Sequence, residues 1–377
     1  MTEDEKYMKM ALKFAARGVG LVEPNPAVGC VIVKANEVIG RGWHKKFGQA
    51  HAEINAMEDC KGIGAKPEGA TIYVTLEPCC HMGKTGPCSD AIIAAKPARV
   101  VVGIPDPSGH VGGYSINQMR QAGIEVDIGV CEHEVKVLNA GFLKYAKTKR
   151  PWVILKLAQS IDGKLAWDKQ QCGEGENNRW ISNESSRKDA HKLRRSVGGI
   201  VIGVDTVIAD NPLLIPRPSK GKYPLRIVLD SNLRIPLGSR IINTKRAATL
   251  VICTAKAMVL NAQKTERIRR RGVEVFPVAD IEGRCDLDAV IGELGRRGIQ
   301  RVLVEGGARV LTSFLKRGLG DAVRVYVAPK IMGTAGTAGI TEAMAQIGGV
   351  ESLHYVKVED FDGDACIHGF LKNITTL

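Results

Sequence analysis

The sequence predicts an α/β protein of two domains, and three observations lead to this prediction. Beyond residue 151, runs of β-branched and aliphatic residues alternate with helical stretches, which is typical of a sheet covered by helices. The chain has 377 residues, whereas a single hydrophobic core rarely exceeds roughly 250–300. A charged stretch that ends in proline, 147–151, follows a predicted helix ending near Tyr145. We therefore expect domains at residues 1–148 and 149–377.

The first domain is expected to place a strand between two helices. Residues 51–57 have the pattern of a helix start, and residues 69–77 have the pattern of a β-strand that Pro78 ends. Pro87 and Cys88 then open a second helix over residues 89–96. Because Cys88 lies in the first turn of that helix, the positive helix end would stabilise its thiolate.

The second domain is expected to contain a sheet with helices on both faces. Predicted strands occupy residues 152–158, 199–203, 225–229, 249–253, 273–277, 301–304 and 323–327. Predicted helices occupy residues 184–195, 287–297 and 308–316. Glu305 is followed by Gly306-Gly307, a step that lets backbone amides approach a phosphate at a helix N-terminus. A tight turn is the alternative interpretation of this glycine pair.

The charge is concentrated in the second domain. Residues 1–150 hold 19 Lys and Arg against 16 Asp and Glu, a net of +3, and the remainder holds 34 against 24, a net of +10. This excess predicts an anionic ligand, either nucleic acid or a small phosphorylated molecule. Aromatic residues make up only 5% of the chain, and the densest basic run, Arg267 to Arg271, is expected on a solvated helix face. A small phosphorylated ligand explains the excess equally well.

The remaining composition predicts a cytoplasmic protein. No apolar run reaches the roughly 18 residues of a membrane span, and the N-terminus, Met1 to Glu5, is acidic where a signal peptide would be basic. The ten cysteines are scattered along the chain, which fits reduced thiols and one metal site. We expect a homo-oligomer that binds a small phosphorylated substrate and has neither a nucleic acid nor a membrane as a partner.

The most informative motif combines His51, Glu53, Cys79 and Cys88. His51-Ala52-Glu53 precedes the predicted strand, and Pro78-Cys79 and Pro87-Cys88 follow it. Catalytic zinc takes three protein ligands and leaves its fourth position to water, whose pKa falls to about 7. Three zinc ligands with one free carboxylate therefore predict hydrolysis in which Glu53 moves the proton. The pattern is typical of zinc-dependent base deaminases.

The roles of Cys80 and His81 stay open at the level of sequence. The short Cys-x-x-Cys spacing of many zinc sites is absent, because Cys80 follows Cys79 directly and Cys88 comes only after a glycine-containing insert. Adjacent side chains do not easily share one tetrahedral ion, which favours Cys79 with Cys88 as the ligand pair. Cys80 and His81 would then pack or contact the substrate.

On these motifs the chain resembles the bacterial bifunctional riboflavin-biosynthesis proteins, in which a pyrimidine deaminase is fused to a reductase. Pro24 to Val33 is similar to that family's Pro-Asn-Pro-x-Val-Gly-Cys-Val-Ile-Val loop. Residues 77–88 are similar to its Glu-Pro-Cys-x-His-x-Gly-x-Thr-x-Pro-Cys string, except that Gly86 replaces a second proline. The resemblance implies a cytidine-deaminase-like three-layer α/β/α domain. It also places Asn25 against the pyrimidine, which suits an amide that donates and accepts; a turn residue before Pro26 is the alternative.

The second domain is similar to the family's reductase half, which resembles dihydrofolate reductase. The strings 155–164, 180–182, 205–214 and 304–307 occur in the family's order. The resemblance implies an NADPH site lined by Ala158, Trp180, Thr206, Asp210, Ser231, Gly307, Ala308, Arg309, Val310, Leu311, Thr312 and Ser313. It implies that the phosphorylated substrate contacts Asn178, Arg194, Leu214, Arg217 and Glu305. It places Lys156 and Asp210 by the reacting sugar carbon, although Asp210 could instead cap a helix.

The resemblance implies two consecutive reactions on one phosphoribosyl pyrimidine. Zinc-dependent deamination of 2,5-diamino-6-ribosylamino-4(3H)-pyrimidinone 5′-phosphate would give the uracil. NADPH would then reduce the ribosyl chain to ribityl, with Lys156 or Asp210 assisting proton transfer. Three alternatives remain: a nucleic-acid deaminase, a structural zinc module in which Glu53 has no role, and a deaminase whose second domain is degenerate. Departures from the family at Gln159, Ile161, 204–205 and 215–216 bear on the last of these.

Overall fold

The computed structural model describes residues 1–80, 86–107, 112–168, 180–218, 223–337 and 352–374. The chain divides into two compact units, of which the first comprises Met1–Lys149 together with Ile374 and the second comprises Arg150–Asn373. None of the helices in these described ranges is long and apolar enough to cross a membrane.

The first unit is a five-stranded sheet with five helices among its described residues. The strands are β1 (Gly29–Lys34), β2 (Glu37–Trp43), β3 (Thr71–Leu76), β4 (Arg99–Ile104) and β5 (Glu125–Ile128). The helices are α1 (Glu3–Ala15), α2 (Ala52–Gly62), α3 (Cys88–Ala95), α4 (Tyr114–Gln121) and α5 (Glu132–Thr148). The sheet order is β2-β1-β3-β4-β5; β1 pairs antiparallel with β2 and β3, whereas β3, β4 and β5 are parallel.

Two helical layers cover this sheet. Helices α2, α3 and α4 pack on one face through apolar side chains such as Ala56, Ile92 and Met119. Helices α1 and α5 pack on the other face, where Met8 and Val135 are fully buried. The predicted three-layer α/β/α arrangement is confirmed.

The second unit is built on a nine-stranded sheet. Its strands are β6 (Trp152–Ser160), β7 (Gly199–Gly203), β8 (Leu225–Leu229), β9 (Thr249–Thr254), β10 (Glu274–Val278), β13 (Arg301–Glu305), β14 (Ala322–Ala328), β15 (His354–Phe361) and β16 (Asp364–Phe370), and β11 (Asp280–Ile281) and β12 (Arg284–Cys285) form a separate ribbon. The helices are α6 (Glu184–Arg195), α7 (Val204–Asp210), α8 (Ala255–Leu260), α9 (Ala262–Arg269), α10 (Leu287–Arg296) and α11 (Ala308–Lys316).

The order of this sheet is β10-β9-β8-β7-β13-β6-β14-β16-β15. The strands from β10 to β14 pair in parallel, and β16 and β15 add antiparallel pairs at one edge. Helices α10 and α11 cover one face, and α6 to α9 contribute to the core on the other. The predicted α/β sheet with two covered faces is therefore confirmed.

Some predicted boundaries were wrong. The helix expected to end near Tyr145 continues to Thr148, and its last position before the second unit, Lys149, adopts the left-handed conformation that ends it. The basic run Arg267 to Arg271 extends beyond its helix, because α9 ends at Arg269. Helices α7 and α8 and the β15–β16 hairpin were not predicted at all.

Candidate active sites

Three donor atoms converge beyond the C-terminal end of β3. His51 Nδ1 lies 3.4 Å from Cys79 Sγ and 3.4 Å from Cys88 Sγ, and all three atoms lie within 4.8 Å of one another. Tetrahedral zinc, with nitrogen at about 2.0 Å and sulfur at about 2.3 Å, separates such donors by about 3.5 Å. The arrangement and the donor chemistry therefore fit a zinc ion.

Backbone geometry explains how His51 and Glu53 face the same site. Two residues within a helix that are separated by one residue point about 200° apart. Residues 51–57 were predicted to start a helix, but α2 begins at Ala52, and His51 is its extended N-cap, with φ −75° and ψ 172°. Because His51 lies outside the helix, the separation of about 200° does not apply to His51 and Glu53. Helix α2 approaches β2 closely because Gly42 has no side chain; a Cβ there would lie 2.1 Å from the Ala52 carbonyl oxygen.

Glu53 is a buried carboxyl group beside the three donors. Its residue is 3% exposed, and its Oε2 has no hydrogen-bond partner within the described part of the chain. Burial raises the pKa of Glu53 to about 7. A carboxyl group with a near-neutral pKa and an unpaired oxygen can both accept and release a proton, which is what hydrolysis requires.

Cys79 is held by backbone contacts from α3. The Cys88 amide donates to Cys79 Sγ at 3.4 Å, and the Ser89 amide donates to the Cys79 carbonyl oxygen at 3.1 Å. The contact with the Cys88 thiol, supported by His51, lowers the pKa of Cys79. The same contact and burial raise the pKa of Cys88. A metal ion stabilises both thiolates because ligands bind in deprotonated form.

Cys80 does not join the donor set of the described residues. Its thiol is half-buried, and burial raises its pKa. His81, the other open candidate, lies outside the described residues. The pairing of Cys79 with Cys88 is therefore the one that geometry favours.

Replacing Cys88 should remove the metal. We expect the purified protein to carry about one zinc per chain, since three protein ligands make one site, and Cys88→Ala should strip it. Metal content after gel filtration is the measurement, with Cys80→Ala as the matched thiol control. Full zinc in Cys88→Ala together with loss in Cys80→Ala would show that the ligand assignment is wrong.

His44 belongs to this site, and sequence reasoning missed it. Its buried ring lies edge-on to His51, with centroids 5.1 Å apart. His44 Nδ1 faces the Ala50 carbonyl oxygen at 3.1 Å and must donate to it, so Nε2 accepts from the Asn25 amide at 3.3 Å. Burial lowers the pKa of His44, which keeps the ring neutral. The Asn25 side-chain oxygen is thereby left to accept a hydrogen bond from a ligand.

The second unit brings together three of its predicted residues, Lys156, Arg194 and Glu305. Arg194 Nε and Nη2 donate to the two Glu305 oxygens, each at 2.6 Å, and Glu305 lies beside Lys156 in the register of β13 and β6. Burial alone would raise the pKa of Glu305, but the Arg194 charge outweighs burial and holds it at about 2. Burial lowers the pKa of Lys156. Two cations against one carboxylate leave the cluster positive, as an anionic substrate requires.

His191 faces the same cluster and was not predicted from sequence. It lies one turn before Arg194 on α6, and its Nδ1 is buried without a partner among the residues described. Burial, with the charges of Arg194 and Arg217, lowers the pKa of His191 to about 4. Arg217 itself is exposed. Because Arg194 already donates two of its five N–H groups to Glu305, and Arg217 is exposed with no carboxylate contact of this kind among the described residues, Arg217 is the freer cation for a phosphate.

Several predicted cofactor residues lie at the carboxyl ends of the parallel strands, where α/β sheets bind ligands. The Gly307 amide donates to Thr206 Oγ1 at 3.2 Å, which joins the segments after β13 and β7. Gly307 is the N-cap of α11. Ser231 follows β8, and its hydroxyl oxygen accepts from the Cys285 amide at 3.0 Å. Asp205, directly before Thr206 in α7, pairs with Arg234 at 2.5 Å and with Arg309 at 3.7 Å.

Other predicted residues lie in α11 and in the core of the second unit. As predicted, residues 308–316 form a helix, and the proposed cofactor residues Ala308, Arg309, Val310, Leu311, Thr312 and Ser313 make up the first turns of α11. Leu311 packs in the core, and so does Leu214, whose φ is 50°.

The remaining predicted residues of the second unit differ in their exposure to solvent. Asp210 is exposed at the last position of α7. Trp180 is 48% exposed, with the Arg187 guanidinium 5.0 Å from its ring centroid. Ala158 is half-buried on β6 beside Tyr326 of β14. Asn178 lies outside the described residues.

Comparison with known proteins matches each of the two units to a protein family. The family described as "Cytidine and deoxycytidylate deaminase zinc-binding region" matches residues 1–104, and the family "RibD C-terminal domain" matches residues 151–367. The riboflavin biosynthesis protein RibD of Aquifex aeolicus is 43% identical over 332 residues, which cover 88% of each chain. The chain belongs to the RibD family. It is therefore a bifunctional deaminase and reductase of riboflavin biosynthesis.

Further RibD proteins agree over nearly the whole length. The Escherichia coli RibD is 35% identical over 97% of this chain and 99% of its own. A solved structure of the Thermotoga maritima deaminase/reductase has a TM-score of 0.82 at 34% identity, covering 97% of both chains. A solved Acinetobacter baumannii RibD has a TM-score of 0.78 at 34% identity, covering 97% of this chain and 98% of its own. The predicted family, fold class and pair of activities are confirmed.

Proposed function

We propose that the first unit deaminates 2,5-diamino-6-ribosylamino-4(3H)-pyrimidinone 5′-phosphate and that the second unit reduces the product with NADPH. The observation that carries the proposal is the convergence of the His51, Cys79 and Cys88 donor atoms, together with the buried Glu53 carboxyl group two residues after His51. The Thermotoga maritima relative is named as a diaminohydroxyphosphoribosylaminopyrimidine deaminase and 5-amino-6-(5-phosphoribosylamino)uracil reductase. This name supports the same substrates here.

In the first unit, His51, Cys79 and Cys88 would hold zinc, and Glu53 would carry the proton. A zinc ion held there would supply a water molecule acidic enough for hydrolysis at carbon 2 of the pyrimidine at neutral pH. Glu53, buried beside the three donors, would take up a proton and release it to the departing amine. Asn25, oriented by His44, accepts a hydrogen bond from the pyrimidine through its free side-chain oxygen.

In the second unit, Lys156 would assist the proton transfers that accompany reduction of the ribosyl chain. NADPH, when bound, supplies the hydride. Lys156 carries a lowered pKa and has no hydrogen-bond partner among the described residues, so its amine can exchange protons with a substrate. Arg217 and the remaining N–H groups of Arg194 would bind the phosphate, and Asn178, Leu214 and Glu305 complete the proposed substrate contacts.

The NADPH site is proposed at the carboxyl edge of the sheet. Support comes from the Thr206–Gly307 hydrogen bond and from the position of Ser231 at the same edge. Gly307 and residues 308–313 would contribute backbone and the exposed side chains of α11, with Ala158, Trp180 and Asp210 around them. Because Asp210 is exposed, its carboxylate is better suited to accept a hydrogen bond from a ligand hydroxyl group than to transfer a proton in a buried site.

A coupled assay tests this proposal. Protein, the diamino substrate and NADPH are mixed, and ammonia release and NADPH absorbance are followed separately. We expect both signals, and we expect NADPH to be used faster than NADH at matched, subsaturating concentrations, because the basic second unit offers cations to the 2′-phosphate. Ammonia release without NADPH oxidation would refute the reductase half of the proposal. Equal rates with NADH would refute the cofactor preference.

A further inference from the structure

Glu77 is a buried carboxylate that gathers five hydrogen bonds. It is 4% exposed and lies directly after β3. Its Oε2 accepts from the Asp106 amide at 3.0 Å and the Gly113 amide at 2.8 Å. Its Oε1 accepts from the Ser115 amide at 3.1 Å, the Ser115 hydroxyl at 2.9 Å and the Ile116 amide at 3.4 Å. No step proposed for the deaminase uses this group.

The donors come from two segments that the chain must bring together. Asp106 follows the end of β4, and Ser115 and Ile116 belong to the first turn of α4. These first-turn amides have no partner within the helix, and a carboxylate satisfies them well. The Glu77 amide also donates to the Ile104 carbonyl oxygen at 3.0 Å, which continues the pairing of β3 with β4. Glu77 is therefore fixed through both its backbone and its side chain.

Only Pro78 separates Glu77 from Cys79. The proline ring restricts its own φ, so the direction of the chain from Glu77 to Cys79 has little freedom. On its other side, Cys79 is held by the Cys88 and Ser89 amides. Cys79 is thus held from two sides: the amides at the start of α3 contact it directly, and Glu77 fixes the chain just before it.

We propose that Glu77 is a positioning residue for the zinc site: its carboxylate, bound to the β4–α4 segment and to α4, sets the position of Cys79 Sγ relative to His51 and Cys88. Groups that orient metal ligands commonly change metal affinity by 10–100-fold when they are replaced. Glu77 would influence zinc affinity through the backbone that joins it to Cys79, without contacting the ion or the substrate. The inference rests on the proposed zinc site.

The test compares Glu77→Gln with two other variants in the full-length protein. Glu77→Gln keeps the size of the side chain, but one of its two accepting oxygens becomes an NH₂ group that cannot accept a hydrogen bond from the backbone N–H donors. Ser115→Ala removes one of the five donors. Tyr73→Phe is the matched control, since it removes a buried hydrogen bond from the same strand, Tyr73 to Asp4 at 2.7 Å, away from the donor atoms. Zinc affinity is measured by competition with a chromophoric chelator, and cobalt(II) is substituted to read the sulfur-to-metal absorption.

We expect Glu77→Gln to bind zinc about 10-fold more weakly or worse, with an altered cobalt spectrum. Ser115→Ala should change both readouts in the same direction by less, and Tyr73→Phe should match the wild type in both even if it unfolds at a lower temperature. Wild-type affinity and spectrum in Glu77→Gln would overturn the proposal, as would an equal zinc loss in Tyr73→Phe. If Glu77→Gln does not fold, unchanged readouts in Ser115→Ala overturn it. A wild-type protein that binds no zinc would instead refute the zinc site itself.

Discussion

Glu53→Gln should retain zinc and lose deamination by on the order of 100-fold or more, which is the typical contribution of a general acid–base group. The amide keeps the size of the side chain and can still form hydrogen bonds, but it cannot take a proton from water. Ammonia release and metal content are measured on the same preparation. Reduction of the already deaminated substrate should proceed at the wild-type rate.

The control for this variant is Glu58→Gln, an exposed carboxylate on the same helix, α2. It should match the wild type in both reactions. Normal deamination in Glu53→Gln would mean that the zinc is structural and that Glu53 has no part in the reaction. Loss of zinc in Glu53→Gln would mean that the carboxylate helps to hold the ion.

Lys156→Met should lose reduction by on the order of 100-fold or more while sparing ammonia release. Methionine replaces the flexible stem of lysine but removes the group that exchanges protons, and the Arg194–Glu305 pair stays intact. The measurement is loss of NADPH absorbance on the deaminated substrate. Lys192→Met, an exposed change on α6, is the matched control and should be neutral.

Asp210→Asn distinguishes the two groups proposed for this reaction. Because Asp210 is exposed at the end of α7, we expect its replacement to raise KM more than it lowers kcat. A large loss of kcat in Asp210→Asn with normal reduction in Lys156→Met would exchange the roles of the two residues.

The convergence of His51, Cys79 and Cys88 could be predicted because the sequence marks the element that presents each of them. Pro78 ends a strand and Pro87 begins a helix, so Cys79 and Cys88 are placed by local rules alone. The helix start before Glu53 is equally visible, although only the structure shows His51 as its N-cap. Strands such as β7 and β8 were predicted with their observed bounds because buried parallel strands are continuous apolar runs.

The residues that were missed depend on partners far away in the sequence. His44 becomes part of a site only through Asn25 and the Ala50 carbonyl, and His191 only through Arg217 and the sheet. No local pattern marks such a histidine. The β15–β16 hairpin was missed for a different reason, since β15 is exposed along most of its length and lacks alternating burial.

Arg226 shows how structure can override a residue's usual preference. Its side chain is fully buried in β8, although arginine is almost never buried without a partner. It donates to the carbonyl oxygens of Leu213, Asn243, Ala247 and Ala248. Burial lowers its pKa to about 10. Only the path of the neighbouring loops supplies these acceptors, so the sequence could predict the strand but not the role of its arginine.

The most direct test of two independent active sites in one chain is to mix Glu53→Gln with Lys156→Met. Each variant alone should convert almost none of the diamino substrate to the ribityl product in the presence of NADPH. The mixture should restore the conversion, because Lys156→Met releases the deaminated intermediate and Glu53→Gln reduces it. A mixture as inactive as its components, or a folded single variant that has lost both activities, would contradict two separate sites.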